Sequence, residues 1–130
     1  MRKEWEAAVR RGDCESVRRL VGEGVDLDSK DRYGQTALMI ASMRGCTDIV
    51  RLLVQSGAKL DTTAKCDLSA LMLAVINGHT DIVRILTEAG ADLKLRGTGA
   101  VGFSGKTALE LAEQAGHDEI VQVLRDFADT

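Results

Sequence analysis

The chain has 130 residues, with 17 Lys and Arg against 20 Asp and Glu, a net charge of −3. That balance offers no global attraction for nucleic acid or acidic membranes, while a 45% hydrophobic fraction suffices for the core of one domain. One Trp, one Tyr and two Phe leave that core to aliphatic side chains.

The N-terminal segment Met1 to Arg11 carries charges throughout, so it does not read as a signal peptide. No stretch reaches the roughly 18 apolar residues that span a membrane. Cys14, Cys46 and Cys66 form no C-x-x-C pair, which argues against a disulfide framework or a zinc site and suits a reducing compartment. A cytoplasmic chain with free thiols, no metal and no cofactor is the expectation.

Along the chain the same three blocks return. Gly12 to Leu20 (Gly-Asp-Cys-Glu-Ser-Val-Arg-Arg-Leu) is the weakest copy of a block repeated as Gly45 to Leu53, Gly78 to Leu86 and Gly116 to Leu124. Gly24-Val-Asp-Leu-Asp28 returns at Gly57 to Asp61 and at Gly90 to Lys94. Gly34-Gln-Thr-Ala-Leu-Met-Ile-Ala41 returns at Asp67 to Ala74 and Gly105 to Ala112. The period is 33 residues, stretched to 38 before the last copy. Three blocks in one register define a repeat architecture.

Each block has a local meaning. Thr36, Ser69 and Thr107 stand where a hydroxyl caps a helix, and Thr107 with Glu110 makes a capping box. Leu38, Ile40 and Ala41 supply an apolar face, and Gly45, Gly78 and Gly116 sit where a helix ends in a left-handed residue. Thr47, Thr80 and Asp118 are expected to cap the second helix, whose Ile-Val-x-x-Leu spacing is helical. Gly57 and Gly90 stop it.

These blocks resemble the ankyrin-repeat family, with its 33-residue period and T-P-L-H-x-A signature. Here Ala37, Ala70 and Ala108 replace the proline, and Met39, Met72 and Glu110 replace the histidine. The resemblance implies an all-α solenoid of four stacked helix-turn-helix units with extended turn segments. The units run about 1–30, 31–63, 64–96 and 97–130. Ser16, Arg19 and Glu110 stand where internal units are apolar, so the ends are expected to be polar caps of a complete four-unit protein.

The irregular stretch is a five-residue insertion within Leu95 to Ser104. Gly97 to Gly102 fits G-x-G-x-x-G, and Ala100 to Thr107 nearly fits a P-loop. Such strings bind nucleotides only after a buried strand within a parallel sheet, and Ala91 to Arg96 is short and half charged. A lengthened loop is the expected reading; a nucleotide or phosphate site on Gly105, Lys106 and Thr107 is the alternative. His79 and His117 share a column without a clustered second ligand, so they are not read as metal ligands. No Ser, Thr or Cys has an evident base, and no catalytic residue is assigned.

The resemblance also implies a concave recognition face built from turn tips and helix ends. The tips are Arg32, Tyr33 and Gln35; Lys65, Cys66 and Leu68; Phe103, Ser104 and Lys106. The helix columns are Arg10 and Arg11; Met43 and Arg44; Ile76 and Asn77; Gln114 and Ala115. They contain six cations and no Asp or Glu, among apolar groups with no evident core role. That composition suits a protein interface. The expected partner is another protein, bound through an acidic and apolar segment. Nucleic acid is not expected, with so few aromatics for stacking, and the chain is expected to be a monomer.

Overall fold

The computed structural model describes residues 1–99 and 102–128. Among these residues the structure is all-helical: α1 (Lys3–Arg11), α2 (Cys14–Gly22), α3 (Ala37–Arg44), α4 (Thr47–Gln55), α5 (Ala70–Ile76), α6 (Thr80–Glu88), α7 (Ala108–Ala115) and α8 (Asp118–Ala128). They pack as four hairpins, α1 with α2 through α7 with α8. The first helices stack on one another in chain order, and so do the second helices.

Sequence explains why the two rows differ. In α3 and α5 every residue from Ala37 to Ser42 and from Ala70 to Val75 is buried, because each helix is covered by its own partner and both neighbours. The second helices are amphipathic: α4 buries Ile49, Val50 and Leu53 and exposes Asp48, Arg51 and Gln55. Leu53 and Leu86 are fully buried, and truncating such a side chain to Ala costs about 2–5 kcal/mol.

The first-helix caps form as expected. Thr36, Ser69 and Thr107 accept from the backbone N–H groups of Met39, Met72 and Glu110, each at 3.3 Å. The second-helix caps differ from expectation. Thr47, Thr80 and Asp118 are the first helical residues, and Cys46 and His79 stand at the cap positions without a side-chain cap bond. The reason is that the cap side chain reaches across to the preceding unit. His79 Nε2 lies 3.0 Å from the Met43 carbonyl, which it meets as donor. In α2 a side chain does cap the helix: Asp13 accepts from Ser16 N–H at 3.2 Å and from its hydroxyl at 2.6 Å.

The extended segments tie neighbouring units together. Asp28 accepts from Lys59 N–H, and Asp61 accepts from Asp92 N–H, both at 2.8 Å. The third copy of that position is Lys94, whose side chain has no acceptor atom to repeat the bond.

The N-terminal end is polar as expected: Ser16 bonds Asp13, and Arg19 pairs with Glu4 (2.6 Å) and Glu23 (2.8 Å). The other end is less so. A depression of about 450 Å³ opens there beside Leu93, Leu109, Leu124 and Phe127.

Candidate protein-binding surface

The turn tips carry most of the sequence-predicted site residues, so their construction decides what the surface can do. In the second unit the turn is built by one buried acid. Asp31 Oδ1 accepts from the N–H groups of Tyr33 and Gln35, both at 2.9 Å, and Oδ2 accepts from Arg10 at 2.7 Å. The Asp31 side chain is 0% exposed and that of Arg10 35%. Gly34 takes the left-handed conformation the turn needs, at φ 78°.

The third unit lacks both devices, with Ala64 in place of Asp31 and Asp67 in place of Gly34. The chain nevertheless turns, with Cys66 at φ 63° and Asp67 at φ 53°. Left-handed backbone costs a non-glycine residue about 1 kcal/mol or more, so something outside must hold it. The insertion does so: Thr98 N–H donates to the Cys66 carbonyl at 2.7 Å, and Thr98 Oγ1 donates to Asp67 Oδ2 at 2.9 Å.

The insertion itself closes at its base. Gly97 N–H donates to the Lys106 carbonyl at 3.0 Å and Gly105 N–H to the Gly97 carbonyl at 2.8 Å. Phe103 passes so close that a Cβ on Gly97 would stand 2.6 Å from its carbonyl oxygen. Arg96 donates to the Gly105 carbonyl and to Glu110.

This geometry answers the glycine strings, of which Ala100 and Val101 lie outside the described residues. No strand precedes them among the described residues; Gly97 and Ser104 form only an isolated bridge. Several amides along the strings are already bonded: Gly97, Thr98, Gly105 and Lys106 to carbonyls, and Thr107 to Glu110 at 3.2 Å. A carboxylate thus occupies the N-terminus of α7. The Thr107 N–H and hydroxyl, with Arg96 nearby, hold the Glu110 carboxyl below its ordinary range.

The remaining site residues divide by environment. Tyr33 is the one large exposed apolar side chain among the described residues, at 59%, and the Arg32 guanidinium lies 4.9 Å from its ring centroid. Arg32, Arg44 and Lys65 are exposed and Lys106 half-buried, and none has an ion pair among the described residues. Arg10 and Arg11 differ: Arg10 is committed to Asp31, and Arg11 stands 3.6 Å from Asp13. Asn77 donates to the Leu73 carbonyl at 2.8 Å, and Gln114 to that of Gly102 at 3.4 Å.

The expectation that the apolar members lack a core role is corrected. Leu68 is buried at 9% exposure, and Met43, Cys66, Ile76 and Phe103 pack partly against the core. They are the floor of the surface, not its projections. Gln35, Cys66, Leu68 and Phe103 are brought together around one apolar cleft of about 330 Å³, with Lys65 at its edge. Sequence reasoning missed two of its supports, Asp31 and Thr98, and two lining residues, Ala64 and Leu73. A signal for the supports existed in the broken copy, Asp31 and Gly34 becoming Ala64 and Asp67, one period before the insertion.

Stacked helix hairpins joined by extended segments define a repeat solenoid, an architecture used for recognition. The family model described as ankyrin repeats (3 copies) matches residues 5–97 and 68–130. The chain belongs to the ankyrin-repeat family, whose members act as protein–protein interaction modules. A comparison with curated proteins found no match. No helix of the described residues is long and apolar enough to cross a membrane.

Proposed function

We propose that this chain binds a partner protein on the face formed by the turn tips and the ends of α1, α3, α5 and α7. The partner segment carries Asp or Glu beside one or two apolar residues. The observation that carries this reading is a set of four cations, Arg32, Arg44, Lys65 and Lys106, left without ion pairs among the described residues in a chain of net charge −3. Elsewhere Arg19 pairs with Glu4 and Glu23, Arg84 with Glu119 and Arg125 with Glu113. Lys3, Arg18, Lys30, Arg51, Lys59 and Lys94 also have no ion pair among the described residues, so it is the gathering of the four on one face that counts. Unpaired cations of one sign beside an exposed Tyr and an apolar floor match the composition of interface centres and steer acidic partners.

The test is capture from a lysate of the source cells with the unaltered chain and with the Arg32→Glu, Arg44→Glu variant. Both side chains are exposed, so the variant keeps its melting temperature and loses a partner that the unaltered chain retains. Identical capture by the two proteins at equal stability sinks the assignment of this face.

A further inference from the structure

Resting on that reading, we propose that the cleft between the turn tips is the anchor subsite of the surface. It takes one aliphatic side chain of an acidic segment, and Thr98 is the positioning residue that holds its wall.

The cleft spans three units. Gln35 comes from the second, Ala64, Leu68 and Leu73 from the third, and Phe103 from the insertion. Its floor is carbon: Leu68 and Leu73 keep 9% of their surface each, and Phe103 is partly buried beside them. A volume of about 330 Å³ lies at the lower end of pockets that enclose ligands. It suits a side chain and its flanking backbone, not a helix. The rim sets the sign of what enters. Lys65 lines it without a counter-ion among the described residues. Asp67 does not line the cleft, and its carboxylate accepts from the Thr98 hydroxyl. Apolar floor and cationic rim together select an aliphatic residue flanked by carboxylates.

The wall is preformed, which lowers the ordering cost of binding. Thr98 fixes the left-handed Cys66 and Asp67, and the backbone at Gly99 lies over Cys66, where an added Cβ would stand 3.4 Å from Sγ. The five-residue insertion therefore shapes the cleft from a neighbouring unit.

Cys66 lines the cleft and can report on it through reversible disulfide exchange. The full chain is equilibrated in 2-mercaptoethanol with three peptides, Cys-Leu-Asp-Glu, Cys-Leu-Lys-Lys and Cys-Gly-Asp-Glu. Each is supplied as its mixed disulfide with 2-mercaptoethanol, so that the Cys66 thiolate takes the peptide sulfur and mercaptoethanol leaves as the thiolate. Adducts are quantified by mass on the fragment carrying each cysteine, with Cys14 and Cys46 as internal controls. At Cys66 the first peptide exceeds each of the others by roughly two- to fivefold, the effect of one exposed charge pair or a comparable apolar contact. Lys65→Gln removes the preference over the lysine peptide and keeps that over the glycine peptide; Phe103→Ala does the reverse. Thr98→Ala abolishes both preferences and accelerates alkylation of Cys66 by iodoacetamide while the helical circular dichroism persists.

Equal adducts at Cys66, the same preferences at Cys14 and Cys46, or no adduct at Cys66 would each overturn the proposal. Should Cys66 show no preference while partner capture still depends on Arg32 and Arg44, the cleft is wrong and the wider face stands. If the preference holds while capture ignores those arginines, the wider reading fails alone.

Discussion

The turns at 31–35 and 64–68 occupy the same place in successive units and are held by opposite means. The first is held from within: Asp31 caps two of its amides, draws in Arg10 from α1, and leaves the left-handed position to Gly34. The second has lost the acid and the glycine, turns with both Cys66 and Asp67 left-handed where the first uses Gly34, and is held from the next unit by Thr98. A repeat can shed its own turn chemistry when a neighbour supplies the hydrogen bonds. The consequence is a turn whose geometry depends on an insertion 31 residues downstream.

The sharpest way to break the comparison is Asp31→Ala. It orphans two amides and a partly buried guanidinium, and we expect a loss of about 2–4 kcal/mol in urea unfolding. A loss under about 1 kcal/mol would show that the first turn stands without its acid. Thr98→Ala removes only the side-chain link and leaves the N–H to Cys66. We expect about 1 kcal/mol, with faster amide exchange at Ala64 and Asp67 and none at Tyr33 or Gln35. Rebuilding the second turn on the plan of the first, with Ala64→Asp and Asp67→Gly, should make the Thr98→Ala change silent. Additive losses in that cycle would refute the dependence.

The smallest effect concerns the fourth unit, which holds its turn by a third means, Gly105 at φ 73° with the Thr107–Glu110 capping box. Glu110 has a folded-state pKa below its ordinary 4.5, chiefly through the Thr107 N–H and hydroxyl. A depressed carboxyl contributes stability above its unfolded value and loses it as pH falls through the folded one. Melting curves of the chain and of Glu110→Gln should therefore differ near neutrality and converge in acid. A gap that persists in acid would mean that the charge is not what matters.

Much of this was legible in the sequence because repeats average out local ambiguity. The register of Gly45, Gly78 and Gly116, the hydroxyl caps at Thr36, Ser69 and Thr107, and the Ile-Val-x-x-Leu faces each occur several times, so their helices could be placed without coordinates. The second-helix caps were misplaced by one residue. His79 and Cys46 look like ordinary cap residues until the preceding unit is seen beside them. Among the site residues, Arg32, Tyr33, Arg44 and Lys65 stood exposed as the column argument required, while Leu68 did not.

What the sequence alone determined is periodic: unit length, helix positions, the first-helix caps, and the row of cations. These depend on interactions within a few residues of each position, and periodicity reports them directly. Only the tertiary structure decided which groups are spent. Arg10 is consumed by Asp31 across 21 residues, and Thr98 by Cys66 and Asp67 across about one unit. Leu68 sinks into the floor of a cleft assembled from three units. Such pairings depend on how neighbouring turns stack in space, a distance that no spacing along the chain encodes.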